Sequence, residues 1–161
     1  MKITVKPIDF FEAKKILLIP EIFIKVASYD EDDTEEMLNT DYIGGYVDGV
    51  LLSVAHYEPM GNGIFQYHPC VDPKASKEAK LKVTAAMLEY TAKNKTDIKI
   101  LQARIPICYP ETFLFAIKFG FRVVGAEDYR MMVAGFDMAY QRLILNYDLS
   151  EARNGQKSTN G

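Results

Sequence analysis

Cysteine is scarce in this sequence of 161 residues, which contains only Cys70 and Cys108. The absence of any CxxC pair or Cys/His cluster argues against a structural zinc site, and no other metal is expected. We interpret both cysteines as reduced, partly buried thiols rather than as a disulfide or a nucleophile. No apolar run reaches the length of about 18 residues that a transmembrane helix needs, so no membrane contact is predicted.

An excess of positive charge is also lacking, since the net charge is −3 and the isoelectric point is about 5.4. Without a positive field to attract phosphates, nucleic-acid binding is not expected. The hydrophobic fraction of 48% and charged fraction of 25% are ordinary for a globular chain, which excludes extensive disorder. The alternating polar and apolar residues 1–7 are typical of a strand and not of a signal peptide, so we expect a cytoplasmic protein.

The first half of the chain predicts a strand, a broken helix and an antiparallel meander. Asp9 can cap a helix that starts near Phe10, and Pro20 should divide that helix in two. The acidic run at 30–36 is interpreted as a solvated loop and helix start, with a basic partner surface or a metal as the alternative reading. Asp48-Gly49 is the signal of a type I′ hairpin turn. The predicted strands are 2–8, 42–47, 50–57 and 64–68, with a turn at 59–63.

The second half predicts a long helix, then strands interrupted by a short helix. Apolar residues recur at helical spacing over 76–93, Pro110 should begin the short helix, and Gly120 should end it. The predicted strands are 97–105, 121–124 and 139–147, with a hairpin region at 128–136. Residues 150–161 are polar and lack an apolar anchor, so we expect a flexible tail over 149–161 after a single domain of residues 1–148.

Several local sequences, in this order of elements, resemble one known family. They are His68-Pro69 or Asp72-Pro73, Met87-Leu88-Glu89-Tyr90, Lys118-Phe119-Gly120-Phe121-Arg122, Tyr129, Gly135-Phe136-Asp137 and Arg142-Leu143-Ile144-Leu145. The pattern resembles the GCN5-related N-acetyltransferases (GNAT). The resemblance implies an α+β (α/β/α) fold, in which helices flank a mixed, mostly antiparallel central sheet, and it implies acetyl-coenzyme A (acetyl-CoA) as cofactor.

The family's phosphate loop, Q/R-x-x-G-x-G/A at the start of the long helix, is the poorest match. Glycines there let main-chain N–H groups approach a pyrophosphate. Residues 74–81 contain no glycine: Glu78 or Ala79 takes the first glycine position, and Lys80 or Leu81 takes the second. Bulky side chains would obstruct the phosphates, and Glu78 would repel them, which makes acetyl-CoA binding doubtful. Residues that could still hold the cofactor are Lys74, Ser76, Lys77 and Lys80.

The catalytic residues that the resemblance implies are also incomplete. Ala116 stands where the family usually has a tyrosine that acts as the general acid. Tyr109 is the nearest residue that could instead protonate the coenzyme A thiolate. His68 is the best candidate base, since histidine titrates near neutrality, and Glu58 is the next. Further candidates are Gln66 through a water, and Asp72. His56 and His68 should lie on neighbouring strands, but two ligands without a carboxylate do not predict a metal site.

In this sequence the fold pattern matches the family, whereas the site residues do not. This combination resembles the small GNAT-like head-assembly and internal virion proteins of short-tailed phages. This second resemblance rests on the lysine-rich, glycine-free start of the long helix at 76–83 and on 119–121. It implies a non-catalytic protein of the host cytoplasm or the virion, with virion or precursor-head proteins as partners. The alternatives are an acetyl-CoA-dependent N-acetyltransferase with an atypical phosphate loop, or a host-directed docking protein that uses 29–37.

Overall fold

The computed structural model describes residues 1–26, 38–133 and 136–159. The described helices are α1 (Phe10–Leu17), α2 (Pro20–Val26), α3 (Lys77–Asn94), α4 (Pro110–Lys118) and α5 (Leu149–Thr159). The strands are β1 (Ile3–Ile8), β2 (Tyr42–Val47), β3 (Val50–Gly61), β4 (Ile64–Val71), β5 (Ile100–Pro106), β6 (Arg122–Val133) and β7 (Phe136–Asp148). The acidic run at 30–36, and the docking segment at 29–37, lie outside the described residues.

The strands form one seven-stranded sheet in the order β1-β2-β3-β4-β5-β7-β6. The pairs β1–β2, β2–β3, β5–β7 and β6–β7 are antiparallel, whereas β4 and β5 run parallel over Ile64–Gln66 and Ile100–Gln102. The expected α+β class, a mixed and mostly antiparallel sheet flanked by helices, is therefore confirmed. The chain divides into two compact units: Met1–Tyr57 with His68–Tyr90, and Glu58–Tyr67 with Thr91–Gly161.

In the first unit, local signals set the element boundaries as predicted. Asp9 caps α1, because its carboxylate accepts a hydrogen bond from the backbone N–H of Glu12 at 2.8 Å. Pro20 begins α2. Asp48 and Gly49 have φ of +50° and +83°, as the β2–β3 turn requires. A core of buried side chains joins α1 and α2 to the sheet: Ala13, Ile16, Ile22, Tyr42, Val54 and Cys70.

Helix α3 approaches β2 closely within the same unit. A Cβ added to Gly45 would lie 2.5 Å from Val83 Cγ2 and 2.9 Å from Met87 Sδ. Val83 and Met87 are themselves fully buried. The bare backbone of Gly45 therefore lets α3 pack closely against β2 at Val83 and Met87.

In the second unit, β5 and β7 carry the buried core. Leu101 and Leu145 are fully buried, and Ile105 is almost so. Helix α4 begins at Pro110 and is followed by Gly120, whose φ of +97° allows the chain to turn back. Both signals were predicted correctly.

Four strand predictions were too short, among them β7, which was predicted over 139–147 and runs over Phe136–Asp148. β3 runs through Pro59 to Gly61, because only residues 61–63 take the left-handed φ that the turn needs. β4 continues past His68 to Val71. β6 is a single strand of 12 residues, because a register shift between Val123 and Gly125 absorbs the glycine as a bulge instead of ending the strand.

The expectation of an unanchored polar tail is wrong for the described residues up to 159, which form α5. Asp148 caps this helix, since its carboxylate accepts from the N–H groups of Ser150 at 2.8 Å and Glu151 at 3.2 Å. Leu149 is fully buried. Arg153 donates hydrogen bonds to the carbonyl oxygens of Ala92, Lys95 and Ile98, at 2.8 to 2.9 Å.

Candidate functional site

The start of α3, where a phosphate loop would lie, uses several of its own hydrogen-bonding groups. The Ser76 hydroxyl accepts from the N–H of Ala79 at 3.2 Å, so Ser76 acts as the helix cap. The Asp72 carboxylate accepts from the N–H of Lys74 at 2.8 Å, and the Asp72 carbonyl accepts from that of Ala75 at 3.1 Å. The segment is therefore a closed Asx turn followed by a capped helix.

The charged side chains at this helix start are mostly exposed, and two of them are engaged. The Lys80 ammonium donates to the Pro73 carbonyl at 2.7 Å, which ties the helix back to its own loop. Glu78 pairs with Lys82 at 2.7 Å, and the hydrogen bond from Lys82 lowers the pKa of the Glu78 carboxyl. A carboxylate is thus held ionised in the first turn, where an anionic ligand would meet repulsion.

Lys74 and Lys77 are the predicted cofactor residues whose ammonium groups contact no acceptor within the described part of the chain. The backbone N–H groups of Lys77 and Glu78, in the first turn of α3, likewise have no acceptor there, as is usual at a helix start. Lysine point charges and first-turn amides could attract an anion, although the side chains at 78–81 occupy the space that glycines would leave. Whether this segment holds acetyl-CoA stays a prediction.

The two histidines meet, as their strands suggested. The imidazole rings of His56 and His68 are stacked, with centroids 4.4 Å apart and planes 12° apart. Tyr42 contacts the His56 ring edge-on at 5.6 Å. The stacked rings place the two imidazoles side by side, and the role of His68 as base stays a prediction.

Glu58 and Tyr109 belong to the second unit. Glu58 is exposed on β3. Tyr109 is half-buried and precedes α4; its carbonyl accepts from the N–H of Phe113 at 3.2 Å, and its side chain does not cap the helix. Ala116 lies within α4, with no group to donate a proton. The roles of Glu58 as base and Tyr109 as acid stay predictions.

Cys70 is buried against the first-unit core, whereas Cys108 is exposed, and both are free thiols. Burial raises the pKa of the Cys70 thiol to about 11. At pH 8 only about one Cys70 thiol in a thousand is therefore ionised, and the thiolate is the reactive form. The raised pKa of Cys70 is the opposite of what an activated nucleophile needs.

We expect one fast and one protected thiol in the folded protein. Ellman's reagent at pH 8 should modify Cys108 rapidly and Cys70 only after unfolding in guanidinium. Cys108→Ser should remove the fast phase, and Cys70→Ser should leave it unchanged. Two fast thiols in the folded wild type would contradict the burial of Cys70.

A polar cluster on β5, β6 and β7 was missed by the sequence reasoning. It consists of Gln102, Arg104, Glu127, Arg142 and Asn146, joined by hydrogen bonds within the second unit. The available signal was the polar residue at every second position of β5, at 102 and 104. The prediction of a strand over 97–105 made no use of this alternation of polar residues.

Two negative findings apply to the described residues, 1–26, 38–133 and 136–159. Over these ranges, no group of three or more His, Cys, Asp or Glu side chains is placed to hold a metal ion. No helix within the same ranges is long and apolar enough to span a membrane.

Comparison with known proteins finds relatives by structure alone, since no family model and no curated protein matches the sequence. An N-acetyltransferase from Staphylococcus aureus Mu50 has a TM-score of 0.68 at 17% identity, with 93% of this chain and 99% of that chain covered. Mutant forms of the Vibrio cholerae spermidine/spermine N-acetyltransferase SpeG give 0.71 at 10% identity, with 95% and 98% covered.

A third structure, the putative acetyltransferase yncA from Salmonella typhimurium, was solved with its cofactor acetyl-CoA. It has a TM-score of 0.61 at 13% identity, with 91% of this chain and 94% of that chain covered. At such low identity these matches establish the fold and leave the chemistry open. The order of strands, the long helix α3 and these neighbours together show that the chain has the GNAT fold.

Proposed function

We propose that this chain is a GNAT-fold protein with a degraded acetyl-CoA site, and that it acts through protein contacts in phage head or virion assembly. The observation that carries the first part is the start of α3. It has no glycine, and the Lys80 ammonium is tied to the Pro73 carbonyl. A pyrophosphate needs close approach to main-chain N–H groups, and the side chains at 78–81 obstruct that approach.

The second part of the proposal, on assembly, is supported by the resemblance to small GNAT-like virion proteins. A domain that keeps the fold but loses the cofactor loop can still act by binding other proteins through its surface. The proposed partners are virion or precursor-head proteins, and the proposed location is the host cytoplasm, with the virion as final destination. An immunoblot of purified precursor heads and particles should detect the protein, and its absence from both would refute this part.

A thermal-shift titration with acetyl-CoA tests the loss of the cofactor site. A ligand at a hundredfold excess over its dissociation constant stabilises a protein by about 2.7 kcal/mol. We expect no shift of the melting temperature at high micromolar acetyl-CoA, and the same result with acetyl-pantetheine, which lacks the pyrophosphate. A clear shift with acetyl-CoA would count against a degraded site.

The second candidate function is an acetyl-CoA-dependent N-acetyltransferase with an atypical phosphate loop. The ammonium groups of Lys74 and Lys77, which contact no acceptor among the described residues, favour it, as does the stacked pair of His56 and His68. In that case the double variant Lys74→Gln/Lys77→Gln should abolish an acetyl-CoA shift seen in the wild type. His68→Ala should abolish turnover of an amine, and unchanged turnover would remove His68 as the base.

A further inference from the structure

One face of the second-unit sheet carries polar side chains, while the other carries the core. In the register of β5 with β7, Gln102 pairs with Asn146, and in that of β6 with β7, Glu127 pairs with Arg142. Cross-strand partners share a face, and residues two apart along a strand do so as well. The residues between them point the other way and include the buried Leu101, Ile105 and Leu145.

Two arginines converge on one carboxylate in this cluster. Glu127 Oε1 accepts from Arg104 Nη1 at 3.2 Å and also accepts a short hydrogen bond from Arg142 Nε. Gln102 Oε1 accepts from Arg104 Nε at 3.3 Å and from Arg104 Nη2 at 3.2 Å. Gln102 in turn donates to Asn146 Oδ1 at 3.1 Å. All three nitrogens of Arg104 are thus used within the cluster.

The cluster carries one positive charge in excess, because two guanidinium groups share a single carboxylate. The side chains of Arg142, Arg104 and Glu127 are only 15%, 20% and 30% exposed, so water screens this charge incompletely. The acids nearest along β6 and β7 have other partners. Asp137 pairs with Arg130 at 2.7 Å, and Asp128, which lines the same cavity as Tyr129 and Tyr140, accepts from Gln141 at 3.4 Å.

Arg142 supplies the open hydrogen-bond donors. Glu127 accepts from Arg142 only through its Nε. The Nη1 and Nη2 groups of Arg142 donate to no acceptor within residues 38–133 and 136–159. The guanidinium lies over the Tyr129 ring, with Cζ 3.6 Å from the ring centroid, and this stacking fixes its plane. Tyr129 contacts Tyr140 at 5.4 Å, and both rings line a cavity of about 510 Å³.

We infer that Arg142, held by Glu127 and Tyr129, is the anchor of a binding site for a carboxylate. A planar guanidinium with two open amino groups matches a carboxylate in a two-point hydrogen bond. The charge count favours a monoanion: one carboxylate neutralises the excess, whereas a phosphate dianion would leave a net negative charge beside Glu127. The tyrosine rings favour a flat apolar group next to the carboxylate. This site does not depend on acetyl-CoA or on the proposed assembly role.

The probes that test this inference are benzoate, benzamide and phenyl phosphate, which share a ring and differ in charge and in the geometry of the anion. Titrations are followed in ¹H–¹⁵N spectra through the Nε–H signal of Arg142 and the amides of 127–130 and 140–142. We expect saturable shifts with benzoate that weaken as salt is raised. We expect little response to benzamide, and weaker binding of phenyl phosphate than of benzoate.

Variants separate a binding site from a merely structural network. Arg142→Lys keeps the charge and loses the two-point geometry, so it should weaken benzoate at least tenfold. The matched control Arg122→Lys, at an exposed arginine of β6 that does not line the cavity, should bind benzoate within about twofold of the wild type. Glu127→Gln removes the only carboxylate of the cluster, so it should bind benzoate several-fold more tightly, a gain that misfolding cannot imitate.

The opposite results are equally clear. Shifts of equal size with benzamide would mean that the rings alone attract the probe. Tighter binding of phenyl phosphate than of benzoate would overturn the assignment to a carboxylate. A folded wild type without saturable benzoate shifts, or a folded Glu127→Gln variant without tighter binding, would show that the arginines serve the fold alone.

Discussion

Deleting residues 149–161 is expected to lower the free energy of unfolding by about 6–10 kcal/mol. Two contacts account for this loss. Leu149 is fully buried, and removing a buried leucine side chain typically costs about 2–5 kcal/mol. Arg153 donates to the carbonyl oxygens of Ala92, Lys95 and Ile98, and hydrogen bonds to charged groups contribute about 1.5 kcal/mol each at the low end that suits a half-buried arginine.

The position of these carbonyls explains why Arg153 matters. Ala92 lies in the last turn of α3, whose carbonyl oxygens have no partner within the helix. A guanidinium there satisfies them and also interacts favourably with the negative end of the helix dipole. Without Arg153, the connection from α3 to β5 loses the side chain that holds three of its carbonyls.

Urea unfolding of point variants would measure this effect without truncation. Leu149→Ala and Arg153→Met should each lower the midpoint clearly. The matched control is Glu151→Gln on the same helix, whose ion pair with Arg122 is long, at 3.8 Å, and exposed. That control should change stability by about 0.5 kcal/mol or less. If the deletion variant unfolds at the wild-type midpoint, α5 does not support the fold.

The sequence contained a signal for α5 that the polar composition concealed. Asp148 and Glu151 have the spacing of a capping box, and Leu149 between them is the only apolar anchor. Composition over a window of a dozen residues averages out one leucine and one arginine, yet these two side chains make the decisive contacts. The bounds of α3 and the Asp48-Gly49 turn were by contrast predicted closely.

In the candidate site, too, the features set by consecutive residues could be predicted from the sequence, and the features set by strand pairing could not. The missing glycines and the cap at Ser76 are properties of consecutive residues and could be read directly. The stacking of His56 on His68 followed from neighbouring strands, but its geometry did not. The sharing of Glu127 by two arginines depends on the registers of β5, β6 and β7. The register of β6 with β7 shifts at a bulge between Val123 and Gly125. No local pattern carries that information.

Gly45→Ala is expected to lower the free energy of unfolding by about 1–3 kcal/mol, a large effect for a single methyl group. The new Cβ would lie 2.5 Å from Val83 Cγ2 and 2.9 Å from Met87 Sδ, closer than real Cβ contacts allow. Because Val83 and Met87 are fully buried, neither side chain can move aside without displacing α3. The matched control is Gly125→Ala, where the nearest atom would be Ile144 Cδ1 at 3.9 Å.

A double-mutant cycle identifies the contact responsible. Val83→Ala alone leaves a cavity and should also destabilise the protein. Combined with Gly45→Ala, the shorter side chain removes the closest clash, so the double variant should be more stable than the sum of the two single effects predicts. Additive losses would mean that Gly45 is needed for a reason other than the approach of Val83.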